Sequence, residues 1–228
     1  MVPAGAFEVG DACTVELVDR AIALGRRLAE EAADEGVAVL VPAACGAGVE
    51  AAAAAALAAA TGSEAATLLG RVVERGRLDD AAWMARCVAA RDALHRTRLR
   101  PRDARTVLAM LGGPDLAVLT GLLLGAAVRR TPVVVDNPAT AAAMVLARDL
   151  APSSPWWCLV PDTGRHPALK LAADLLGLEQ FLDLGLGLGD GTAALTAVSV
   201  LRPVLALAGG VPGLTDGIGA DEAVPAGA

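Results

Sequence analysis

The residues best suited to chemistry in this 228-residue chain are acids and arginines set beside glycines. Near the carboxyl end, Gly189-Asp190-Gly191-Thr192 places a carboxylate between two glycines. Those glycines allow a ligand to approach the backbone closely, or simply make a tight turn. The carboxylate suits two tasks. It can act as a general base if apolar walls raise its pKa toward the working range, or it can cap the helix that follows. Gly46 and Gly48 stand between an apolar run and an alanine-rich stretch opening at Glu50. A strand, a glycine loop and a helix start in that order offer amide N–H groups to an anion such as phosphate. Glu50 brings a competing negative charge to the same helix end. Arg86 can hold a phosphate through two parallel bonds, or serve as a solvated arginine on a charged helix. Asp136 closes a β-branched run, where it can orient a ligand hydroxyl or cap a loop.

Other combinations are poorer. Cys13, Cys45, Cys87 and Cys158 stand far apart without a C-x-x-C pair, which indicates neither a zinc site nor a disulfide framework. With two histidines, His95 and His166, no metal centre is expected, nor any cofactor. Thr163 with His166 is set aside as a catalytic pair. Trp156-Trp157 can stack an aromatic ligand, or be core or interface. The net charge of −7 argues against nucleic acid and anionic membrane surfaces as partners, which leaves small molecules. Mean hydropathy is high at +0.53, yet much of it is alanine. The long apolar stretch from Val107 to Val128 is broken by Gly112-Gly113-Pro114-Asp115, so it reads as buried protein rather than a membrane span. Residues 1–10 carry Glu8 and lack a basic start and apolar core, and a cytoplasmic location is expected.

The elements that must position these groups alternate between helical and strand-like patterns. This predicts an α/β fold with a mainly parallel, Rossmann-like layered sheet and helices on both faces. A leading amphipathic helix is expected over residues 14–35, with Leu17, Ile22, Leu24 and Leu28 on its apolar face. A buried strand over 37–41 leads through the glycine loop to a helix over 50–60. Asp79-Asp80 begins a helix running to about Arg98, and another runs from Pro101 to Leu111. A strand over 115–119, a helix over 121–128 and a strand over 132–136 make a βαβ unit. A helix over 139–150, a strand over 157–160 and a helix over 167–176 follow, and the last helix begins after Gly191. Residues 13–216 read as one domain, with poorly ordered ends at 1–12 and 217–228. Strand ends at Val41, Asp136 and Pro161 share one edge of a parallel sheet, where such folds bind ligands.

Three stretches carry a resemblance to a known family. Leu182-Asp183-Leu184-Gly185 followed by Leu186-Gly187-Leu188-Gly189-Asp190-Gly191-Thr192 resembles L-D-L-G followed by L-R-L-G-E-G-[ST]-G. Gly112-Gly113-Pro114-Asp115-Leu116, Gly121, Gly125-Ala126-Ala127 and Pro132 to Asp136 resemble G-G-x-[DE]-[IL]...G...G-A-A...P-V-x-x-D. Residues 36–62 match in length a strand, a G-E-x-G-x-x-N-T-T loop and an alanine-rich helix ending in T-G. The chain thereby resembles the nicotinate-nucleotide:dimethylbenzimidazole phosphoribosyltransferases of cobalamin lower-ligand synthesis. The resemblance implies transfer of phosphoribose from nicotinate mononucleotide to 5,6-dimethylbenzimidazole. It implies Asp190 in the place of the base and Arg86 in the place of a phosphate-contacting lysine; Gly46, Gly48, Glu50, Asp136, Gly189, Gly191 and Thr192 stand beside them as candidate substrate contacts. It also implies a homodimer in which the leading helix takes part. Departures stand beside it: Ala43-Ala44 in place of G-E, Val49-Glu50-Ala51 in place of N-T-T, Asp162 to Pro167 in place of S-H-x-S-x-E, and no counterpart of the family's amino-terminal motifs. They leave open a noncatalytic relative that binds nucleotide or benzimidazole, or a subunit of a full-length partner.

Overall fold

The computed structural model describes residues 4–164, 166–186 and 191–210. The chain divides into two compact units, residues 1–194 and 195–228.

In the first unit, Thr14 caps α1 (Val15–Asp34) by accepting from the Leu17 amide at 3.3 Å. The buried face of α1 is not the leucine stripe but Val18, Ala21, Gly25 and Ala29, while Leu28 stays exposed. Small residues prevail because another helix backbone lies against them. A Cβ on Gly25 would sit 2.0 Å from the Val118 carbonyl oxygen. Then α2 (Val49–Thr61) begins at Gly48, in the left-handed region at φ 82°, and ends at Gly62. Residues 51–59 of α2 are all buried, so no polar face exists and alanine fits on every side. The short α3 (Ala65–Leu68) follows. Next comes an antiparallel hairpin of β1 (Val73–Glu74) and β2 (Arg77–Leu78), which the sequence pattern does not announce. Its turn residues, Arg75 and Gly76, both have positive φ, as a two-residue hairpin turn requires. Asp79 caps α4 (Asp80–Thr97), accepting from the Ala82 amide at 2.9 Å.

The expected strand over 115–119 is absent. After α5 (Ala104–Val107), a π-helical turn at Leu108–Gly112 passes directly into α6 (Gly113–Arg129). Pro114 and Asp115 open a helix here, because an N-terminal turn tolerates proline and its dipole favours an acid. The stretch Ala104–Arg129 is long and apolar enough to cross a bilayer, but 78% of its most apolar window is buried in the protein. On α6, a Cβ at Gly121 would lie 2.1 Å from the Ile22 carbonyl oxygen, and one at Gly125 would lie 2.7 Å from that of Arg26. The α1–α6 seam is thus backbone against backbone.

Then come β3 (Val133–Val134), α7 (Pro138–Leu150) capped by Asn137, β4 (Cys158–Leu159) and α8 (Pro167–Leu176) capped by His166. β3 pairs in parallel with β4. Single parallel bridges join Leu40 to Val133 and Val160 to Gln180. Only Leu40 of the expected strand over 37–41 pairs, and Val37 is exposed. The fold is therefore mixed α/β and rich in helix, and among the described residues strand pairing is confined to short parallel segments and the β1–β2 hairpin. Residues 4–12, expected to be loose, are fastened: the Ala12 amide donates to the Met110 carbonyl, and Arg96 pairs with Asp11 at 2.7 Å.

The last helix, α9 (Thr192–Gly209), begins inside the first unit, which ends at Ala194. Its remainder, in the second unit, carries exposed Leu195, Val204, Leu205 and Leu207. This helix also has the length and composition of a membrane span.

Candidate active site

The carboxyl ends of the parallel segments share one edge. A cavity of about 890 Å³ opens there. Gly46, Gly48, Glu50, Arg86 and Asp136 all line it, so five of the sequence-derived candidates come together. Asp190 and Gly189 lie outside the described residues. Gly191 and Thr192 begin α9 next to Asp136 rather than lining the cavity.

Glu50 is the second residue of α2 and lies between two partners. Its Oε2 accepts from the Arg86 guanidinium, and its Oε1 faces His166 Nε2 at 3.0 Å. The other ring nitrogen of His166 accepts from the Ala168 amide at 3.3 Å as the cap of α8. A neutral ring that accepts at Nδ1 carries its hydrogen on Nε2, so His166 donates to Glu50. Burial pushes the Glu50 carboxyl up, but the His166 hydrogen bond and the Arg86 charge outweigh it and hold the group below its ordinary value. Glu50 is a carboxylate with both oxygens engaged. Gly70 makes this possible, since a Cβ there would fall 2.5 Å from His166 Nε2 and 2.9 Å from Glu50 Oε1.

Asp136 is 7% exposed and its carboxylate is committed to backbone. Oδ1 accepts from the Gly191 amide at 3.1 Å and Oδ2 from the Ala194 amide at 3.0 Å. It thus caps α9 from another element, a task the sequence had offered to Asp190. Asn137 is equally engaged, donating to the Pro42 carbonyl and accepting from the Thr140 amide. On the other side, Asp162 is 2% exposed and accepts from the amides of Gly164 at 2.6 Å, Leu184 at 2.9 Å and Leu186 at 3.2 Å. Burial pushes its carboxyl up, and the amides of Gly164, Leu186, Leu184 and Gly185 more than reverse that, leaving it below its ordinary value. Two buried aspartates therefore hold the described backbone on both flanks of residues 187–190.

Two cavity residues, His166 and Arg71, are not among the sequence-derived candidates. Thr163 and His166 do not form a pair, since the Thr163 hydroxyl donates to Gln180 Oε1 at 2.7 Å. A His-Pro pair at a helix start was the available signal for His166; Arg71 had none. Among the described residues no cluster of His, Cys, Asp and Glu could hold a metal ion. Burial raises the Cys158 thiol to about 12, so it stays protonated. Cys45 is exposed on the cavity wall.

A parallel edge with a glycine loop, a helix start and buried acids is an arrangement that suits an anionic ligand, and comparison gives the chain a family. A phosphoribosyltransferase family model matches residues 1–216, and the chain belongs to that family. It is 38% identical over 210 residues, 91% of its length, to the nicotinate-nucleotide–dimethylbenzimidazole phosphoribosyltransferase of Streptomyces avermitilis, of which it covers 55%. It is 39% identical over 202 residues, 89% of its length, to the protein of that name from Mycobacterium leprae, covering 57% of it. The crystal structure of the Thermus thermophilus protein of that name superposes with a TM-score of 0.78 at 30% identity, over 88% of this chain and 58% of that one. The chain therefore spans somewhat more than half the length of these relatives.

Proposed function

We propose that the chain transfers phosphoribose from nicotinate mononucleotide to 5,6-dimethylbenzimidazole, giving α-ribazole phosphate and nicotinate in cobalamin biosynthesis. The observation that carries this reading is the convergence of Gly46, Gly48, Glu50, Arg86 and Asp136 on one cavity in a chain of this family. At about 890 Å³, the cavity suits ligands of nucleotide size. In this reading Asp190 takes the proton from one benzimidazole nitrogen as the other attacks the anomeric carbon. The bond to nicotinate breaks with inversion, and nicotinate leaves with the bonding pair. Asp136 accepts from the amides of Gly191 and Ala194 at the start of α9, and in this reading Asp190 serves as the base. The Gly46–Gly48 loop with Arg86 faces the phosphate, while Gly191 and Thr192, assigned to the substrates by resemblance, stand beside Asp136 at the start of α9.

The reading extends to a homodimer in the cytoplasm that uses no cofactor, and to the short parallel segments as the core of a Rossmann-like layer. The test is incubation of purified protein with both substrates and detection of α-ribazole phosphate by mass spectrometry. Its absence at high protein concentration overturns the proposal.

A second reading, a noncatalytic binder or a subunit completed by a full-length partner, is favoured by Ala44 on the cavity wall, where the family motif has a carboxylate. Calorimetry separates the two. Tight binding without turnover supports the second reading, and binding of neither substrate contradicts both.

A further inference from the structure

The polar groups of the cavity wall are unequally engaged. Asp136 and Asn137 are committed to backbone, Thr163 to Gln180, and Arg86 and His166 to Glu50. Arg71 lines the same cavity, is exposed, and has no hydrogen-bond or ion-pair partner among the described residues. Among the described residues the facing charges are thus two guanidiniums against Glu50 and Asp136, and the Asp136 charge is absorbed by the amides at the start of α9.

Glu50 occupies, as part of the protein, the place an anionic ligand would take between Arg86 and His166. A carboxylate and a phosphodiester each carry one negative charge, so exchanging one for the other at those donors gains little. A terminal phosphomonoester carries about −1.5 to −2 at neutral pH and has three acceptor oxygens. It offers more charge to Arg86 and a further oxygen to Arg71, which can bind it by two parallel N–H bonds. Glu50 lies on the first turn of α2 with 27% of its side chain exposed, so its carboxylate can turn toward solvent when displaced.

We propose that Glu50 is a resident anion that makes the cavity selective for a terminal phosphomonoester over singly charged ligands, with Arg71 the free guanidinium that receives the incoming group. The inference deepens the phosphoribosyl-transfer reading by assigning how the donor's phosphate is discriminated. Its test uses ribose 5-phosphate and the methyl phosphodiester of ribose 5-phosphate, neither of which carries nicotinate or benzimidazole. A failure of the transfer reading therefore leaves the test intact.

Calorimetric titration of the full chain at fixed ionic strength should show the monoester binding about tenfold tighter than the diester. Glu50→Gln should bring the two within about twofold, chiefly by tightening the diester. Glu50→Asp, which keeps the charge, should retain most of the preference. Arg71→Ala alters an exposed side chain without partners among the described residues, so its fold should be unaffected. It should weaken the monoester about fivefold or more while leaving the diester within about twofold and the unfolding midpoint unchanged. Equal binding of the two phosphates by the wild type overturns the proposal. So does an unchanged preference in Glu50→Gln, or an Arg71→Ala variant that binds the monoester as tightly as wild type.

Discussion

The α1–α6 seam and the edge of the cavity both bring backbone into buried contact, but they are held by opposite means. At the seam, Gly25, Gly121 and Gly125 leave no space for a methyl group, and carbonyl oxygens lie where a Cβ would go. Nothing there can be exchanged. At the cavity edge, the backbone is held by carboxylates: Asp136 on the start of α9, and Asp162 on the chain at Leu184 and Leu186. Glu50 differs from both aspartates, because its partners are side chains that can release it. Rigidity thus comes from excluded volume in one region and from charge in the other, and only the second responds to pH.

Mutations should separate the two. Gly121→Ala forces a methyl group against the Ile22 carbonyl, and its cost should reach or exceed about 3 kcal/mol, the upper range for overpacking. Urea unfolding measures it, and a loss below about 1 kcal/mol would mean that α1 and α6 move apart readily. Asp136→Ala strips two amides of a buried acceptor and should cost about 2–3 kcal/mol, with Asp136→Asn costing roughly half because one acceptor remains. Equal losses would show that the carboxylate charge carries the contribution and that the remaining neutral acceptor adds little.

Asp162 sets the pH behaviour. Its folded-state pKa is depressed, so its contribution is complete above the unfolded value of about 3.9 and disappears as pH falls through the folded value. Asp162→Asn should be less stable at neutral pH by about 1–2 kcal/mol and show a flatter acid limb. Gly121→Ala should shift the whole curve down without changing its slope. Parallel curves for wild type and Asp162→Asn would contradict the contrast. Gly70→Ala should cost less than any of these, about 1 kcal/mol, since its obstacle is a side chain that can rotate. Loss of the His166–Glu50 contact should appear as a changed NMR chemical shift of the His166 ring nitrogens at fixed pH, and unaltered shifts would count against the tight cradle.

The same contrast explains what is legible in the sequence. Helices can be read because their ends carry local signals: Thr14, Asp79 and Asn137 as caps, and Gly62 as a stop. The pattern overstates strand at 37–41 and 115–119, because a short apolar run looks alike in a buried strand and a buried helix. Pro114-Asp115 is in fact the helix start that decides the second case. At the seam, hydrophobicity points to Leu17 and Leu28, whereas close packing selects Ala21 and Gly25. Gly46, Gly48, Asp136, Glu50 and Arg86 can be placed at one site from strand ends, helix starts and family spacing. Arg71 and His166 cannot, because only tertiary packing brings residues 69–71 and the start of α8 to the start of α2.

The central claim is that Asp190 is a base rather than a cap, and the rate of α-ribazole phosphate formation by Asp190→Ala beside wild type tests it most directly. The account predicts a fall of about 10²–10⁴, with unfolding stability changed by less than about 0.5 kcal/mol because Asp136 already serves the start of α9. A variant that keeps its rate but loses about 1–2 kcal/mol of stability would contradict the claim.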